Sequence, residues 1–501
     1  MRIYILIKTW QCPSQLKFID ILKNINCSCY ISVLIQNSSD MFEKEIYIKR
    51  RQRLKSLMNN GVALFVGNVE SPMNYPDNTY HWRQDSDFLY FFGIDLPGLA
   101  GMIDFNSGED CIFGNDFDVD DIVWMGPQPL LKELAASAGV ENNLPLSKLD
   151  DYIGQAHSGG RPVHFLPPYR AETKMTLGAL LRENPCQMRT KASESLIKAV
   201  VSLRSVKEKV EIDEIEKAAD IACEMQTTAM RMCKPGMTEQ EIFGTIEGIA
   251  WARGSGPSFP TILSINGQTL HNHKHINILR EGRMMVTDCG AESSMHYAAD
   301  LTRTTPVGGR FSQRQREIYE IVLRANTEAI KKAGPGISNR DLHLGACEVI
   351  ASGLTELGLM KGDPAVAVAA GAHALFMPHG LGHIMGLDVH DMESLGENYV
   401  GYNDEVKRST QFGLRSLRFA LPYKPGHVFT VEPGIYFIPE LIAKWKGEGL
   451  HKEFINFGKV EGYLDFGGIR IEDDVLITPA GSRMLGKTAP KTAEEIEETC
   501  R

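Results

Sequence analysis

Three histidines fall within sixteen residues of a glycine-rich stretch, FMPHGLGHIMGLDVHD, at residues 376–391. They are His379, His383 and His390, and few other polar groups lie between them. Glycine lets the backbone pass close to another group and adopt turns that other residues resist. A single histidine in such a loop would need no functional explanation. Three of them, followed by acid-bearing segments, indicate a metal-binding or catalytic site.

Four carboxylates lie in segments on either side of this stretch. Upstream, VTDCGAESSMHYAADLTRT contains Asp288 and Asp300; downstream, TVEPGIY contains Glu432 and GIRIEDDVLIT contains Glu472. Together with His383 they form a hard, oxygen-rich ligand set. Such a set suits Mn, Fe(II), Co or Zn at a carboxylate-bridged pair of ions, and it does not suit a thiolate zinc site.

Asp288 and Asp300 can reach a common point because MMVTDCG and HYAADLTRT are typical of antiparallel strands joined by a short turn. Carboxylates on adjacent strands can hold two metal ions about 3.5 Å apart, and a water between such ions becomes a hydroxide at neutral pH. The remaining work is to orient a substrate amide and to donate hydrogen bonds to its developing oxyanion. The histidines available for this are His271, His379 and His390. His271 lies in a polar HNHKH segment, and a surface position explains it equally well.

The composition of the 501 residues limits the alternatives. A net charge of −10 and a pI near 5.8 argue against nucleic acid as the main partner, because phosphate binding needs a basic face. No apolar run reaches the roughly 18–20 residues that span a bilayer, so we expect no membrane partner. Ten cysteines without a CxxC pair favour a reducing compartment, and we expect a cytoplasmic protein.

Changes in composition divide the chain into four segments. Residues 1–40 are rich in Ile, Cys, Asn and Ser, and we expect an N-terminal extension outside the fold, with Met41 as an alternative start. An amphipathic helix and then strands alternating with helices predict an α/β domain over 41–192. The two remaining segments are a catalytic domain over 193–486 and a C-terminal tail over 487–501.

Three short patterns concern local structure. The acidic run at 116–121 lacks the glycine and terminal glutamate of an EF-hand, and we expect a solvated loop. Ser205 to Glu208 has the form of a capping box and predicts the start of a helix. The run GSRMLGKT at 481–488 matches a phosphate-binding P-loop, but Pro490 follows at once and leaves no room for the required helix. We therefore expect a final strand and a tail there.

The chain contains an internal echo. Pro235 to Ile242 and Pro335 to Leu342 both begin with Pro-Gly, continue with a hydroxyl residue and an acid three positions later, and end on an apolar residue. Each predicts the start of a helix. Chance similarity of two capping boxes would explain the echo. The alternative is a domain of two related halves with its site between them.

Five motifs together resemble the proline-specific metallopeptidases of the pita-bread fold, and specifically the aminopeptidase P family. The motifs are RQDSDFLYFFG, DCGAE with DLTRT, HGLGHIMGLDVHD, TVEPGIY and GIRIEDD. The resemblance extends over residues 41–486. It implies an N-terminal α/β domain followed by an α+β pita-bread domain, and two divalent metal ions, with Mn(II) expected. The ligands that it implies are Asp288, Asp300, His383, Glu432 and Glu472.

The resemblance also implies roles for individual residues. Asp300 and Glu472 would bridge the two ions, and Glu432 would also act as a proton shuttle. Arg470 matches an arginine near the proline end of the substrate. Asp77, by its spacing alone, matches an acidic residue lent to a neighbouring subunit in a homodimer or homotetramer. The family's substrate-binding and oxyanion-stabilising histidines match His271, His379 and His390.

One spacing departs from the family pattern. Asp288 and Asp300 are twelve residues apart, where eleven is expected in many relatives. An extra turn residue absorbs this difference without moving either carboxylate. No ligand position is substituted, which disfavours a metal-free relative such as creatinase.

Three functions are open on the sequence alone. The first is an aminopeptidase that releases the N-terminal residue from peptides with proline at the second position. The second is an Xaa-Pro dipeptidase, a prolidase, which would close a clamp on the substrate carboxylate; the charged loop at 394–424 does not decide between them. The RQDSDF, DCGAE and GLDVHD motifs favour the aminopeptidase. The third is a non-catalytic peptide- or protein-binding homologue, which the intact ligand set disfavours.

Overall fold

A five-stranded sheet forms the centre of the N-terminal part. The computed structural model describes residues 41–501, so the extension expected at 1–40 lies outside the described residues. The strands are β1 (Val62–Val66), β2 (Ala100–Asp104), β3 (Asp110–Gly114), β4 (Asn142–Pro145) and β5 (Val163–His164). Their order across the sheet is β4-β3-β2-β1-β5. The central three strands are antiparallel, and β4 and β5 add parallel strands at the edges.

Helices cover this sheet and lead into the second part. They are α1 (Lys44–Leu57), α2 (Ser86–Phe92), α3 (Val119–Met125), α4 (Leu131–Ser137), α5 (Leu149–Ser158), α6 (Ala171–Leu181) and α7 (Glu194–Arg204). The RQDSDFLYFFG motif is α2 with its two ends. Asp85 caps the N-terminus by accepting from the amides of Asp87 and Phe88, and Gly93 ends the helix in the left-handed conformation.

Two local predictions are wrong. The second half of the acidic run is helical, because Asp118 and Asp121 form a reciprocal capping box that starts α3. Ser205 does not start a helix; its hydroxyl donates to the carbonyl of Val201 at the end of α7. The next helix, α8 (Lys209–Met232), is instead capped by Glu208.

The C-terminal part contains two antiparallel three-stranded sheets and a strand pair. The first sheet has the order β6-β7-β8, from β6 (Ile262–Ser264), β7 (Met284–Cys289) and β8 (Leu301–Pro306). The pair consists of β10 (Gly434–Tyr436) and β11 (Gly468–Arg470). The second sheet has the order β13-β12-β9, from β9 (Val428–Val431), β12 (Asp473–Thr478) and β13 (Gly481–Met484). As expected, the P-loop-like run forms no phosphate loop, because it starts as the antiparallel strand β13.

Two helix pairs accompany these sheets. One is α8 with α9 (Glu239–Arg253), and the other is α10 (Gln313–Lys332) with α11 (Asn339–Glu356). The echo in the sequence marks the starts of α9 and α11, where Thr238 and Ser338 accept from backbone amides as N-caps. The shorter helices are α12 (Pro364–Ala370), α13 (Glu397–Val400), α14 (Pro439–Glu448), α15 (Phe457–Val460) and α16 (Ala493–Thr499). The predicted fold class, an α/β domain followed by an α+β domain, is confirmed.

The main hydrophobic core lies around α10 and α11 and reaches the end of the chain, where Ala493 and Ile496 of α16 are fully buried. A second core cluster packs α8 and α9 on the first sheet. Over residues 41–501, no helix combines the length and the apolar character needed to cross a bilayer.

Charged side chains connect the N-terminal part to the glycine-rich stretch. Arg83 donates to the carbonyl of Leu387 at 2.5 Å and pairs with Glu292 at 3.2 Å. Arg204, which is 2% exposed, bonds Asp87 and Asp391 at 2.6 Å each. Removing either partner of such a buried pair would leave an unpaired charge in the interior, which is strongly destabilising. These ion pairs fix the two parts around the stretch that carries the three histidines.

Candidate metal centre and active site

The first two predicted ligands lie on neighbouring antiparallel strands. Asp288 is in β7 and Asp300 immediately precedes β8, and the register places Asp288 opposite Thr302. The connection passes through a second pair of extended residues, Glu292 and Ala298. The predicted strand pairing is therefore confirmed, and both carboxylates reach the same end of the sheet.

The other two carboxylates come from the second half of the C-terminal part. Glu432 directly follows β9, and Glu472 joins β11 to β12. Because β9 and β12 pair with Asp473 opposite Val431, Glu432 and Glu472 are brought side by side. An isolated bridge between Thr302 and Glu472 connects this half to the first sheet. The site thus lies where the two halves meet.

His383 is placed by the glycine-rich stretch. Its carbonyl accepts from the amide of Thr430 at 3.0 Å, which docks the loop on β9. A side chain at Gly382 would meet the Thr430 carbonyl at 1.9 Å, so this close approach requires glycine. Nδ1 of His383 donates to the carbonyl of Ile384 at 3.3 Å. Nε2 then faces Asp300 Oδ2 at 3.4 Å, as expected for a metal-binding histidine oriented by a backbone carbonyl.

The ligand atoms converge on one buried point. Side-chain ligand atoms of Asp300, His383 and Glu472 all lie within 4.8 Å of one another. Oδ1 of Asp288 and Oδ1 of Asp300 are buried, and neither has a hydrogen-bond partner among the described residues. Buried carboxylate oxygens without partners are costly, and a cation satisfies them. The donor set therefore fits divalent metal ions.

Burial and mutual repulsion perturb the pKa values of these carboxyl groups. Burial first, and then the charges of Glu472 and Asp288, raise the pKa of Asp300 well above its usual value. Burial, with Glu432 and Asp288, does the same for Glu472. Burial raises the pKa of Glu432 to about 7. So many carboxylates remain ionised together only when positive charge compensates them.

Arg470 forms hydrogen bonds with the groups that position the predicted carboxylate ligands. Its guanidinium donates to Asp288 Oδ2 at 2.6 Å, to the Tyr436 hydroxyl at 2.9 Å and to Thr302 Oγ1 at 3.2 Å. Thr302 in turn donates to Glu472 Oε2 at 2.6 Å. Thr302 and Tyr436 are not among the residues predicted from the sequence. Their only sequence signal is membership of the DLTRT and TVEPGIY motifs.

The three further histidines differ in their surroundings. Nδ1 of His379 donates to the Gly380 carbonyl at 2.7 Å, and Nε2 accepts from the Tyr436 hydroxyl at 3.0 Å. Burial, and then Arg470, lowers the pKa of His379 to about 4, so its ring is neutral. His390 donates from Nδ1 to Glu393 at 2.6 Å, and its ring lies 4.1 Å from that of His383. His271 is exposed at the residue level but faces the same cavity.

One cavity of about 540 Å³ contains all nine predicted site residues in its wall. They are His271, Asp288, Asp300, His379, His383, His390, Glu432, Arg470 and Glu472. Arg418 also lines it and was missed, because only the fold brings residue 418 to this wall. Asp77 is not in this wall; it lies on an exposed loop of the N-terminal part.

A second, more open cleft of about 940 Å³ adjoins the first. The two share Phe259, Pro260, Val389 and His390 in their walls. The N-terminal part supplies the far wall of the open cleft, which includes His81, Tyr169 and Arg170. The predicted site residues therefore lie in the smaller and less open of two adjoining cavities.

Two family models match the chain. Residues 213–479 match the metallopeptidase family M24, and residues 47–164 match the N-terminal domain of aminopeptidase P. Among curated proteins, the chain is 30% identical over 470 residues to the Xaa-Pro aminopeptidase of Escherichia coli strain K12, covering 91% of this chain and 97% of that one. It is also 30% identical over 470 residues to the Xaa-Pro dipeptidase of Homo sapiens, covering 90% and 92%.

Solved structures of aminopeptidases P are also similar to this chain. Aminopeptidase P from E. coli with the inhibitor Pro-Leu superposes with a TM-score of 0.75 at 30% identity, covering 92% of this chain and 99% of that one. The Zn-substituted E. coli enzyme in complex with product has a TM-score of 0.76 at 29% identity and the same coverage. Aminopeptidase PepP from Pseudomonas aeruginosa has a TM-score of 0.74 at 27% identity, covering 92% and 98%.

Proposed function

Since the chain belongs to metallopeptidase family M24, we propose that it is a metal-dependent aminopeptidase that hydrolyses the N-terminal Xaa-Pro bond of peptides. The observation that carries this proposal is the convergence of all nine predicted site residues on one buried cavity. Similarity to the E. coli Xaa-Pro aminopeptidase over 91% of the chain supports the substrate class.

The ligands would be Asp288, Asp300, His383, Glu432 and Glu472. When bound there, two divalent ions supply Lewis acidity and lower the pKa of an attacking water. Mn(II) is our proposal for both, because a set of four carboxylates and one imidazole is hard and oxygen-rich. Asp300 and Glu472, which lie between the two sheets, would each bind both ions.

The remaining residues would position the substrate and transfer protons. Glu432 would take a proton from the attacking water and return it to the proline nitrogen as the bond breaks. His271, His379 and His390 line the cavity beside the ligands, where they would orient the substrate amide and stabilise the developing oxyanion. His379 could donate to an oxyanion only in the other tautomer, with its proton moved from Nδ1 to Nε2. Arg470 keeps Asp288 in place through its 2.6 Å hydrogen bond.

The wide cleft favours an aminopeptidase over a dipeptidase. An Xaa-Pro bond is a tertiary amide without an N–H, so binding has to accept the pyrrolidine ring and cannot rest on strand-like pairing alone. A longer peptide also needs room beyond the proline. The open cleft of about 940 Å³ that adjoins the catalytic cavity provides such room.

The test is cleavage of an Xaa-Pro-Pro tripeptide and an Xaa-Pro dipeptide, with added Mn(II) and after chelation. Release of Xaa from the tripeptide, abolished by chelation and restored by metal, is the expected result. Cleavage of the dipeptide alone would move the protein to the prolidases. Cleavage of neither by metal-loaded protein would contradict the substrate class.

Prolidase is the second candidate, and Arg418 is the observation that favours it. This guanidinium lines the catalytic cavity and could bind a substrate carboxylate. It is already paired with Glu393 at 2.8 Å and Glu397 at 2.7 Å, which neutralise it. If a dipeptide were the substrate, Arg418→Ala should raise its KM strongly and spare the tripeptide.

Two further properties are part of the proposal. We assign residues 41–192 to the N-terminal domain, 193–486 to the catalytic domain and 487–501 to the C-terminal tail, whose helix α16 packs into the main core. A cytoplasmic location is supported by the cysteine pattern.

We also propose that the protein is a homodimer or homotetramer in which Asp77 reaches a neighbouring subunit's site. Its support is the exposed position of Asp77 and the match of its sequence spacing to the family's acidic residue. In this arrangement, mixing the Asp77→Ala and Glu432→Gln proteins should restore activity in hybrid oligomers. A monomer by light scattering, or no restoration on mixing, would contradict it.

A further inference from the structure

Three side chains that can bind a soft metal ion lie together in the core, outside the catalytic centre. His343 and Cys347 are four residues apart on α11, so they share one face of the helix. His373 lies in the 3₁₀ turn Ala372–Leu375, which leads into the glycine-rich stretch. Ligand atoms of the three side chains lie within 4.8 Å of one another, and each residue is 0% exposed.

Hydrogen bonding within the described chain leaves three of the four ring nitrogens unsatisfied, and the fourth, His343 Nε2, has a hydrogen-bond contact with Cys347 Sγ. Within residues 41–501, both ring nitrogens of His373 lack a hydrogen-bond partner, and so does Nδ1 of His343. The Val368 carbonyl approaches His373 without hydrogen-bond geometry. Burial outweighs the effect of this carbonyl, which would raise the pKa, and lowers the pKa of His373 to about 4. Burial also lowers the pKa of His343, to about 3. Both rings are therefore neutral, which is the metal-binding form of histidine.

The spacing of the cluster fits metal coordination. With bonds of about 2.0 Å to nitrogen and about 2.3 Å to sulfur, neighbouring ligand atoms of a metal site lie roughly 3.3–3.8 Å apart. Cys347 Sγ lies 3.6 Å from His343 Nε2, which is within that range. The rings of His343 and His373 are 6.1 Å apart between centroids and stand at 69° to each other, so they do not stack.

We propose that His343, Cys347 and His373 form a second metal site that binds Cu(I). Thiolate and imidazole ligands select soft ions, with Cu(I) and Zn(II) the main candidates. Burial raises the pKa of the Cys347 thiol, so this group binds an ion only by releasing its proton to solvent. The resulting thiolate and two neutral imidazoles carry a charge of −1, so Cu(I) gives a neutral site and Zn(II) leaves a buried positive charge. Uncompensated buried charge is costly. The acidic neighbour in sequence, Glu348, is exposed and does not enter the cluster.

Occupancy of this site would pin the turn at His373 to α11. The same turn continues through Phe376 and Met377, whose amides donate to the His373 carbonyl at 2.9 and 3.1 Å. Two residues later the chain reaches His379. The ion would therefore stabilise the start of the segment that carries the active-site histidines, without touching the substrate.

The test uses the full chain, with the catalytic centre first loaded with Mn(II) and Cu(I) then added anaerobically as its bicinchoninate complex. The expected result is one bound copper per chain. Its X-ray absorption fine structure should show one sulfur at about 2.3 Å and two nitrogens at about 2.0 Å. The five predicted catalytic ligands contain no sulfur, so this shell identifies the second site.

Matched variants separate the cluster from other thiols. Cys347→Ser should lose the sulfur signal and at least about 100-fold in copper affinity. Cys233→Ser, at another fully buried cysteine, should keep both. The pair Cys27→Ser/Cys29→Ser removes two thiols of residues 1–40 and should also leave the shell unchanged. His373→Gln should lose one nitrogen and retain the sulfur, which tests the site if Cys347→Ser fails to fold.

Two results would overturn the proposal. A copper shell of sulfur alone, or of oxygen and nitrogen alone, or one that survives Cys347→Ser, would reject the site. Binding of Zn(II) in the same shell while Cu(I) is refused would reject the assignment of the ion. Neither result bears on peptide cleavage at the catalytic centre.

Discussion

Arg470 donates a hydrogen bond of 2.6 Å to Oδ2 of Asp288, while Oδ1 of the same carboxylate has no hydrogen-bond partner among the described residues. One oxygen is thus fixed by a buried guanidinium, and the other is left for a metal ion. The arginine determines the direction in which the carboxylate points. It does so without being one of the predicted metal ligands.

Replacing Arg470 by lysine should impair the centre although the charge is kept. A lysine ammonium cannot reach Asp288, Tyr436 and Thr302 together, as the planar guanidinium does. We expect metal affinity or kcat/KM for the tripeptide to fall about 10–100-fold. Metal content and steady-state kinetics measure this. Arg483→Lys, at an exposed pair with Glu216, is the control, and equal behaviour of the two variants would contradict the role.

Thr302→Val should weaken metal binding by about tenfold. It removes the hydroxyl that donates to Glu472 Oε2 at 2.6 Å, and outer contacts of this kind orient metal ligands. Thr287→Val is a matched control on the neighbouring strand, because the buried hydroxyl of Thr287 has no hydrogen-bond partner within the described chain. Competition with a chromogenic chelator gives both affinities. A loss at Thr287 as large as at Thr302 would contradict the prediction.

His296 should make the stability of the protein fall in mild alkali. Burial opposes its protonation, but hydrogen bonds to Asp95 at 2.8 Å and Glu292 at 2.6 Å raise its pKa from 6.5 to about 9. The raised pKa adds stability in full below pH 6.5, and this is lost as the pH rises through 9. The loss should be about 3 kcal/mol, since one pKa unit corresponds to about 1.4 kcal/mol.

Denaturant unfolding at several pH values measures this effect of His296. His296→Asn tolerates the positive φ of 65° and should flatten the profile between pH 6.5 and 9. His157→Asn, at an exposed helix position, should leave the profile unchanged. An unaltered slope in His296→Asn would assign the alkaline loss to other groups.

Gly382→Ala should abolish peptide cleavage with only a moderate loss of expression. The added methyl would meet the Thr430 carbonyl at 1.9 Å and push the glycine-rich stretch off β9, which displaces His383. We expect kcat/KM to fall by at least about 100-fold, since a misplacement of 1 Å has that cost. Gly345→Ala, on the open side of α11, should keep full activity. Activity in Gly382→Ala would show that the loop can shift without moving the ligand.

The predicted site residues could be grouped from sequence because they lie in short segments with recognisable motifs, and their individual roles follow from the family resemblance. Asp288 and Asp300 follow from two strand patterns and a turn, and Thr238 and Ser338 follow from local capping rules. Other predictions failed because the structure there depends on contacts between residues far apart in the sequence. Ser205 looks like a cap, but its hydroxyl bonds backward to Val201, and the cap is Glu208.

The burial of individual polar residues could not be predicted from the sequence for the same reason. Charged residues of an amphipathic helix ordinarily face solvent, yet Arg50 and Arg51 of α1 are each 1% exposed. Arg50 donates to the Tyr90 carbonyl at 3.1 Å and Arg51 to the Phe91 carbonyl at 2.7 Å, groups some forty residues away. Arg418 entered the cavity wall through tertiary folding in a similar way. No local pattern carries such information.

The five predicted ligands extend from Asp288 to Glu472, and the last of them enters through its bridge to Thr302. A chain that ends before residue 472 therefore lacks one of the five predicted ligands and cannot assemble the full set. Because Glu472 lies between β11 and β12, these late strands of the C-terminal part belong to the site as much as to the fold.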